Sequence, residues 1–117
     1  MPIVKAIAAQ ILNGQSLSSA ASIGHGDFVG IDMPAVWTPA DLTFQGSFDG
    51  VNFQDVYNAD GTVFTVKAAA ARFINLPSRF AATPWIKIRS GTAIAPVNQV
   101  EAPSVTLTLI VQKLAIP

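Results

Sequence analysis

The chain of 117 residues contains no cysteine and a single histidine, His25. The first absence excludes disulfides, thiolate metal sites and a cysteine nucleophile. The second limits any His-based metal site to one such ligand per chain. Charge is also scarce, at 12% of residues, against roughly 25% in an ordinary soluble domain. Seven Lys and Arg balance seven Asp and Glu, so there is no basic field to attract nucleic acid, and none is expected as a partner. No apolar run approaches the ~20 residues of a membrane helix, so no membrane partner is expected. Met1-Pro2-Ile3-Val4-Lys5 lacks the basic leader and continuous apolar block of a signal peptide, and secretion by that route is not expected. G-x-G-x-x-G, G-K-[ST] and G-x-S-x-G are all missing, which removes the Gly-rich phosphate loop and the nucleophile elbow. There is no internal repeat or low-complexity linker, and the length suits one domain over 1–117.

What the chain does have is apolar surface to place. Half of its residues are hydrophobic and the mean hydropathy is +0.44. A small domain with so few ions is expected to leave apolar side chains for other chains to cover, and near-neutrality favours self-association. The bland alternative is a monomer with an Ala-rich, uncharged exterior. Ile3, Val4, Ile7, Trp37, Phe80 and Ile116 are the candidate interface residues. The segment 1–14 reads as an N-terminal arm or an edge strand; because both faces of Pro2 to Leu12 are mostly apolar, a strand buried on both sides and a short helix are also open.

The stretch from Ala40 to Tyr57 alternates apolar and polar residues on both sides of Asp49-Gly50, a strong hairpin signal. Its period of two puts Leu42, Phe44, Gly46 and Phe48 on one face. A two-residue loop would set Phe44 opposite Asp55; a three-residue loop with Gly50 left-handed would set it opposite Val56, which spares a carboxylate from facing the core. Phe28 to Met33, Thr62 to Val66, Arg72 to Leu76, Pro84 to Arg89 and Ser104 to Leu114 read as further strands. In the last, Val105, Leu107, Leu109 and Val111 share a face. About seven or eight short strands without a long helix make an all-β, antiparallel β-sandwich. A jelly roll is the first topology expected and an immunoglobulin-like Greek key the alternative.

Few residues suggest chemistry. His25, with Asp27 nearby, sits between glycines, which suits a solvated turn better than a rigid base. Asp49, Asn52, Asp55 and Asp60 could offer oxygens to calcium, but their spacing is not that of a calcium loop, and Asp before Gly is already explained by turns. Arg72, Arg79, Lys87 and Arg89 interleave with Phe73, Phe80 and Trp85, a pattern found on nucleic-acid or glycan surfaces and, more simply, on strand exteriors. Trp37, Trp85 and Arg89 would form the platform of a carbohydrate-binding module, although core packing is the commoner fate of such tryptophans. No paired acid and base can be named, so no enzyme, catalytic residue, metal or cofactor is expected.

Ser47, Asp49, Gly50 and Phe53, with Trp85, Ile86, Ile88 and Arg89, resemble the S-x-D-G-x-x-[WF] and aromatic-I-x-I-R strands of discoidin-like, galactose-binding-like jelly rolls. The run from Phe28 through Trp37-Thr38 to Trp85-Ile86-Lys87-Ile88-Arg89-Ser90-Gly91-Thr92 is also similar to small structural proteins of tailed bacteriophages and prophages, over about residues 16 to 112. That resemblance implies a non-enzymatic virion component made in the host cytoplasm. It would be a capsid decoration or cement protein bound to the major capsid protein at the capsid surface, as a homo-oligomer, a trimer foremost. The alternative is a carbohydrate-binding module of a tail or head fibre, or an accessory domain.

Overall fold

The computed structural model describes residues 2–24, 26–76 and 83–114. Among them are eight strands: β1 (Pro2–Leu12), β2 (Ala21–Ser22), β3 (Asp27–Asp32), β4 (Leu42–Ser47), β5 (Gln54–Asp55), β6 (Phe73–Asn75), β7 (Trp85–Ser90) and β8 (Ser104–Leu114). They form two four-stranded sheets, ordered β1-β8-β3-β6 and β2-β7-β4-β5. Every pairing is antiparallel, and β1 with β8, β2 with β7, β3 with β6 and β4 with β5 nest inside one another. The chain is thus one long hairpin, rolled so that β8 also meets β3 and β7 also meets β4. This is the jelly-roll order, and not the strand grouping of an immunoglobulin-like sandwich.

The tip of that long hairpin is the β4–β5 connection. Gln45 pairs with Asp55 and Gly46 with Gln54, and Val56 N–H donates to Phe44 O at 2.9 Å. Phe44 therefore faces Val56, the register that keeps the carboxylate out of the core. The expected face ends early, however. Leu42 and Phe44 are buried, but Phe48 is 83% exposed because β4 stops at Ser47.

Alternation is regular in β7, where Ile86 and Ile88 point inward, and in β8, where Val105, Leu107, Leu109 and Val111 do. In β3 it breaks. A bulge between Phe28 and Gly30 in the pairing with β8 resets the phase, so Phe28 and Ile31 both reach the core. Thr62 to Val66 is not a strand but a segment tied down by isolated bridges, Tyr57 with Val63 and Leu42 with Val66; Phe64 and Val66 are buried there. Between the sheets Phe28 meets Phe44 edge-on at 5.9 Å, and Phe44 meets Phe64 at 5.6 Å. Burial of each such side chain contributes about 1.5–3 kcal/mol.

β1 is an edge strand in which Ala9 and Ile11 are buried and Val4 and Leu12 lie open. It is thus not buried on both sides: one apolar face packs on the core and the other stays open, while β8 pairs it along its whole length.

The connections β1–β2, β3–β4, β5–β6 and β7–β8 gather at one end of the sandwich, where Gln99 joins three of them. Its side-chain amide donates to Thr38 O at 3.0 Å and Ser90 Oγ at 2.8 Å, and its Oε1 accepts from Thr38 N–H at 2.9 Å. Its backbone N–H donates to Gln15 O, and its carbonyl accepts from Gly14 N–H. Gln99 is fully buried, and every polar atom it owns has a partner. At the same end Gly91 turns the chain out of β7 with φ +86°. Its N–H donates to Asp41 O at 2.7 Å, and its carbonyl accepts from Thr43 Oγ1 at 2.8 Å.

Candidate functional site

The opposite end carries the β4–β5 tip, a loop ordered by its own hydrogen bonds. Ser47 Oγ donates to Asp49 Oδ1 at 2.8 Å and accepts from the N–H groups of Asp49 and Gly50. Asp49 Oδ1 accepts from the N–H groups of Val51 and Asn52, both at 2.9 Å, and Asn52 Nδ2 donates to Asp49 Oδ2 at 3.0 Å. The side chains of Ser and Asp here take over backbone donors that a longer strand would have paired, which is why β4 ends at Ser47. These donors hold the Asp49 carboxyl well below its ordinary value of 3.8, with the Asn52 and Val51 backbone N–H groups the largest causes.

Three contacts fasten the loop region to the outer face of β7. Gly50 has φ +78°, and a Cβ there would stand 2.8 Å from the Trp85 ring. The Lys87 ammonium lies 4.5 Å from the centre of the Phe53 ring, a cation–π contact. Arg89 donates to Asp55 Oδ1 at 2.9 Å, with its side chain only 11% exposed. The outward Trp, Lys and Arg of β7 are thus occupied in positioning the tip.

Beside the exposed Asp49 and Asn52, the tip presents two apolar side chains. Phe48 is 83% exposed and Val51 78%. Beside them a concavity of about 330 Å³ opens between Phe48, Asn52, Gln54 and Thr83. A second cavity, of about 80 Å³ near Arg89, Tyr57 and Ile94, is well below the roughly 300 Å³ at which small-molecule sites begin. The arrangement can bind by covering two fixed apolar side chains, each contributing up to about 1.5–3 kcal/mol.

Of the residues singled out from the sequence, Trp37 does not reach the surface. It is 6% exposed and its indole N–H donates to Ala40 O at 3.2 Å, so it offers no open ring to a sugar or a partner. Packing of the β3–β4 connection against the core has claimed it. It also lies at the far end of the sandwich from Trp85, so the proposed Trp37, Trp85 and Arg89 platform is not assembled. Val4 is open on the edge strand and Ile7 half-buried beneath it. The Ile3 side chain, His25, Arg79, Phe80 and Ile116 lie outside the described residues. The oxygens weighed for calcium are dispersed: Asp49 and Asn52 cap the tip, Asp55 pairs with Arg89, and Asp60 accepts from the Thr62 backbone and hydroxyl in its own turn. Among the described residues no three His, Cys, Asp or Glu side chains come together.

The Asp49 cap gives a pH prediction. A carboxyl depressed in the folded state contributes stability that is complete above its unfolded value, near 3.8, and is lost as pH falls through the lower folded value. Between pH 5 and pH 2 the wild-type chain is therefore expected to lose urea stability more steeply than Asp49→Asn. Parallel slopes for the two proteins would show that the cap carries none of the acid sensitivity.

No family model, curated protein or solved structure matches the chain.

Proposed function

We propose that the protein is a non-enzymatic structural component of a tailed-bacteriophage virion, a capsid decoration protein made in the host cytoplasm. As a small homo-oligomer it docks on the major capsid protein and stabilises the assembled shell. The observation that carries this reading is the tip: two large apolar side chains, Phe48 and Val51, are held in water by a loop with a full set of internal hydrogen bonds. A preordered loop loses little conformational freedom on docking, so more of the burial energy is retained as affinity. Neutral net charge and sparse ions agree with a protein meant to sit on a crowded lattice. Binding only the expanded shell would stabilise that state by mass action.

Co-sedimentation with expanded heads of the phage or prophage encoding the chain tests the proposal. Saturable binding is expected, weakened about thirty-fold or more in Phe48→Asp/Val51→Asp, since loss of a hot spot costs about 2 kcal/mol or more. Absence of binding, or a double variant that binds as well as the parent, would overturn it.

A further inference from the structure

Among the described residues the sandwich has one long open edge. β2, β5 and β6, which also end their sheets, are 2, 2 and 3 residues long, whereas β1 has 11. Short edges are poor templates for pairing, and a long apolar one is a good template. Which of its backbone groups are free follows from parity. Asn13 N–H donates to Pro103 O, one step beyond the Leu12–Ser104 pair, while Gln10 O accepts on the other side from Ser19 N–H. In an antiparallel ladder the bonding direction alternates. Odd-numbered residues of β1 therefore bond to β8, and Val4, Ala6 and Ala8 turn their N–H and C=O groups to the open side. Among the described residues nothing accepts or donates there. The side chains of the same three residues lie exposed on the outer face, and none is charged.

We infer that a second copy of this chain pairs antiparallel with β1, about a two-fold axis at Ala6, and joins two four-stranded sheets into one continuous sheet. The strand is complementary to itself in this register. Val4 pairs with Ala8 of the other copy, Ala6 with Ala6, and Ala8 with Val4, each pair exchanging bonds in both directions. Pro2, which has no N–H to offer, falls opposite Gln10, whose carbonyl Ser19 already occupies. Lys5 falls opposite Ile7. Neighbouring registers are worse. An axis at Lys5 sets two lysines directly against each other, a destabilising arrangement, and an axis at Ile7 aims the Val4 N–H at the occupied Gln10 carbonyl. Antiparallel self-pairing of one strand closes after two chains, so this edge builds a dimer and not a trimer.

Sedimentation equilibrium from about 1 to 100 μM, on the full chain, is expected to show a monomer–dimer equilibrium. Ala6→Pro removes an N–H that no described residue uses and should shift dissociation at least tenfold toward monomer, with far-UV circular dichroism unchanged. The chain has no cysteine of its own, so Ala6→Cys supplies a single thiol close to its copy across the axis, with Cα atoms about 5.5 Å apart in such a pair. Mild oxidation should cross-link it to a covalent dimer several-fold faster than Leu12→Cys, which lies outside the ladder. A wild-type chain that stays monomeric throughout, or equal cross-linking at the two positions, overturns the inference. Should the proline disturb the strand itself, the cysteine pair decides alone. The pairing does not depend on the capsid reading: dimers indifferent to heads would remove that reading only, and a strict monomer that binds heads would remove this one only.

Discussion

Gly91→Ala is expected to destabilise the fold by about 4 kcal/mol, a loss in the range reserved for changes with a definite steric cause. Two costs combine. A side chain at φ +86° is held in a left-handed conformation that costs about 1–2 kcal/mol. Its Cβ would also stand 2.6 Å from Ala95 O and 2.8 Å from Val97 N. Those are backbone atoms, so relief requires the turn itself to move. Moving it strains the Gly91–Asp41 and Thr43–Gly91 hydrogen bonds that join β7 to the start of β4. Gly61→Ala is the internal control, because Gly61 has φ +94° with nothing within 4 Å of its Cβ position. It should cost only the backbone preference, about 1–2 kcal/mol. Urea denaturation of both variants separates the terms, and equal losses would mean that the crowding at Gly91 has no energetic weight.

Gln99→Leu should cost about 2–4 kcal/mol, although it keeps an amphipathic-sized side chain in the same space. Leucine cannot replace the three bonds that the amide makes, so the Thr38 N–H and C=O and the Ser90 hydroxyl lose their partner. A buried polar group left unpaired costs about 1–3 kcal/mol. Gln54→Leu, at an exposed position in β5, should change stability by less than about 0.5 kcal/mol. Equilibrium melts of the two proteins make the comparison; a Gln99→Leu chain as stable as Gln54→Leu would show that water substitutes freely for the amide.

These two residues also mark where the sequence stops being legible. The strands of the core were readable because one face is buried, and a period of two then writes itself into Trp85–Ser90 and Ser104–Leu114. The Phe44–Val56 register was readable because the alternative would have buried a carboxylate. The same rule fails at Phe48, which is exposed beyond the end of β4. Alternation carries no information about where a strand ends, and here the Ser47 hydroxyl ends it by accepting from the Asp49 and Gly50 N–H groups, as the Asp49 carboxylate does from those of Val51 and Asn52. The Ser-x-Asp-Gly spacing was the available signal. Val29 in its bulge shows the same limit, since one extra residue reverses the faces on either side. Gln99 could not have been placed, because it is buried by connections that converge from distant parts of the chain, whereas Trp37 follows the commoner fate of its residue type and packs in the core. No local pattern separates a glutamine in a Pro-flanked loop from one that joins three loops. The basic and aromatic residues of β7 do form a strand exterior, as the simpler reading has it, but no local pattern shows that they support a loop in front of them.

The nested pairing has a consequence for synthesis. Pro2 lies against Leu114, so β1 leaves the ribosome before the other seven strands and finds its own partner only when β8 has been made. Until then the alanines and isoleucines of β1 travel unmatched on a nascent chain, beside other nascent chains of the same sequence on the same message.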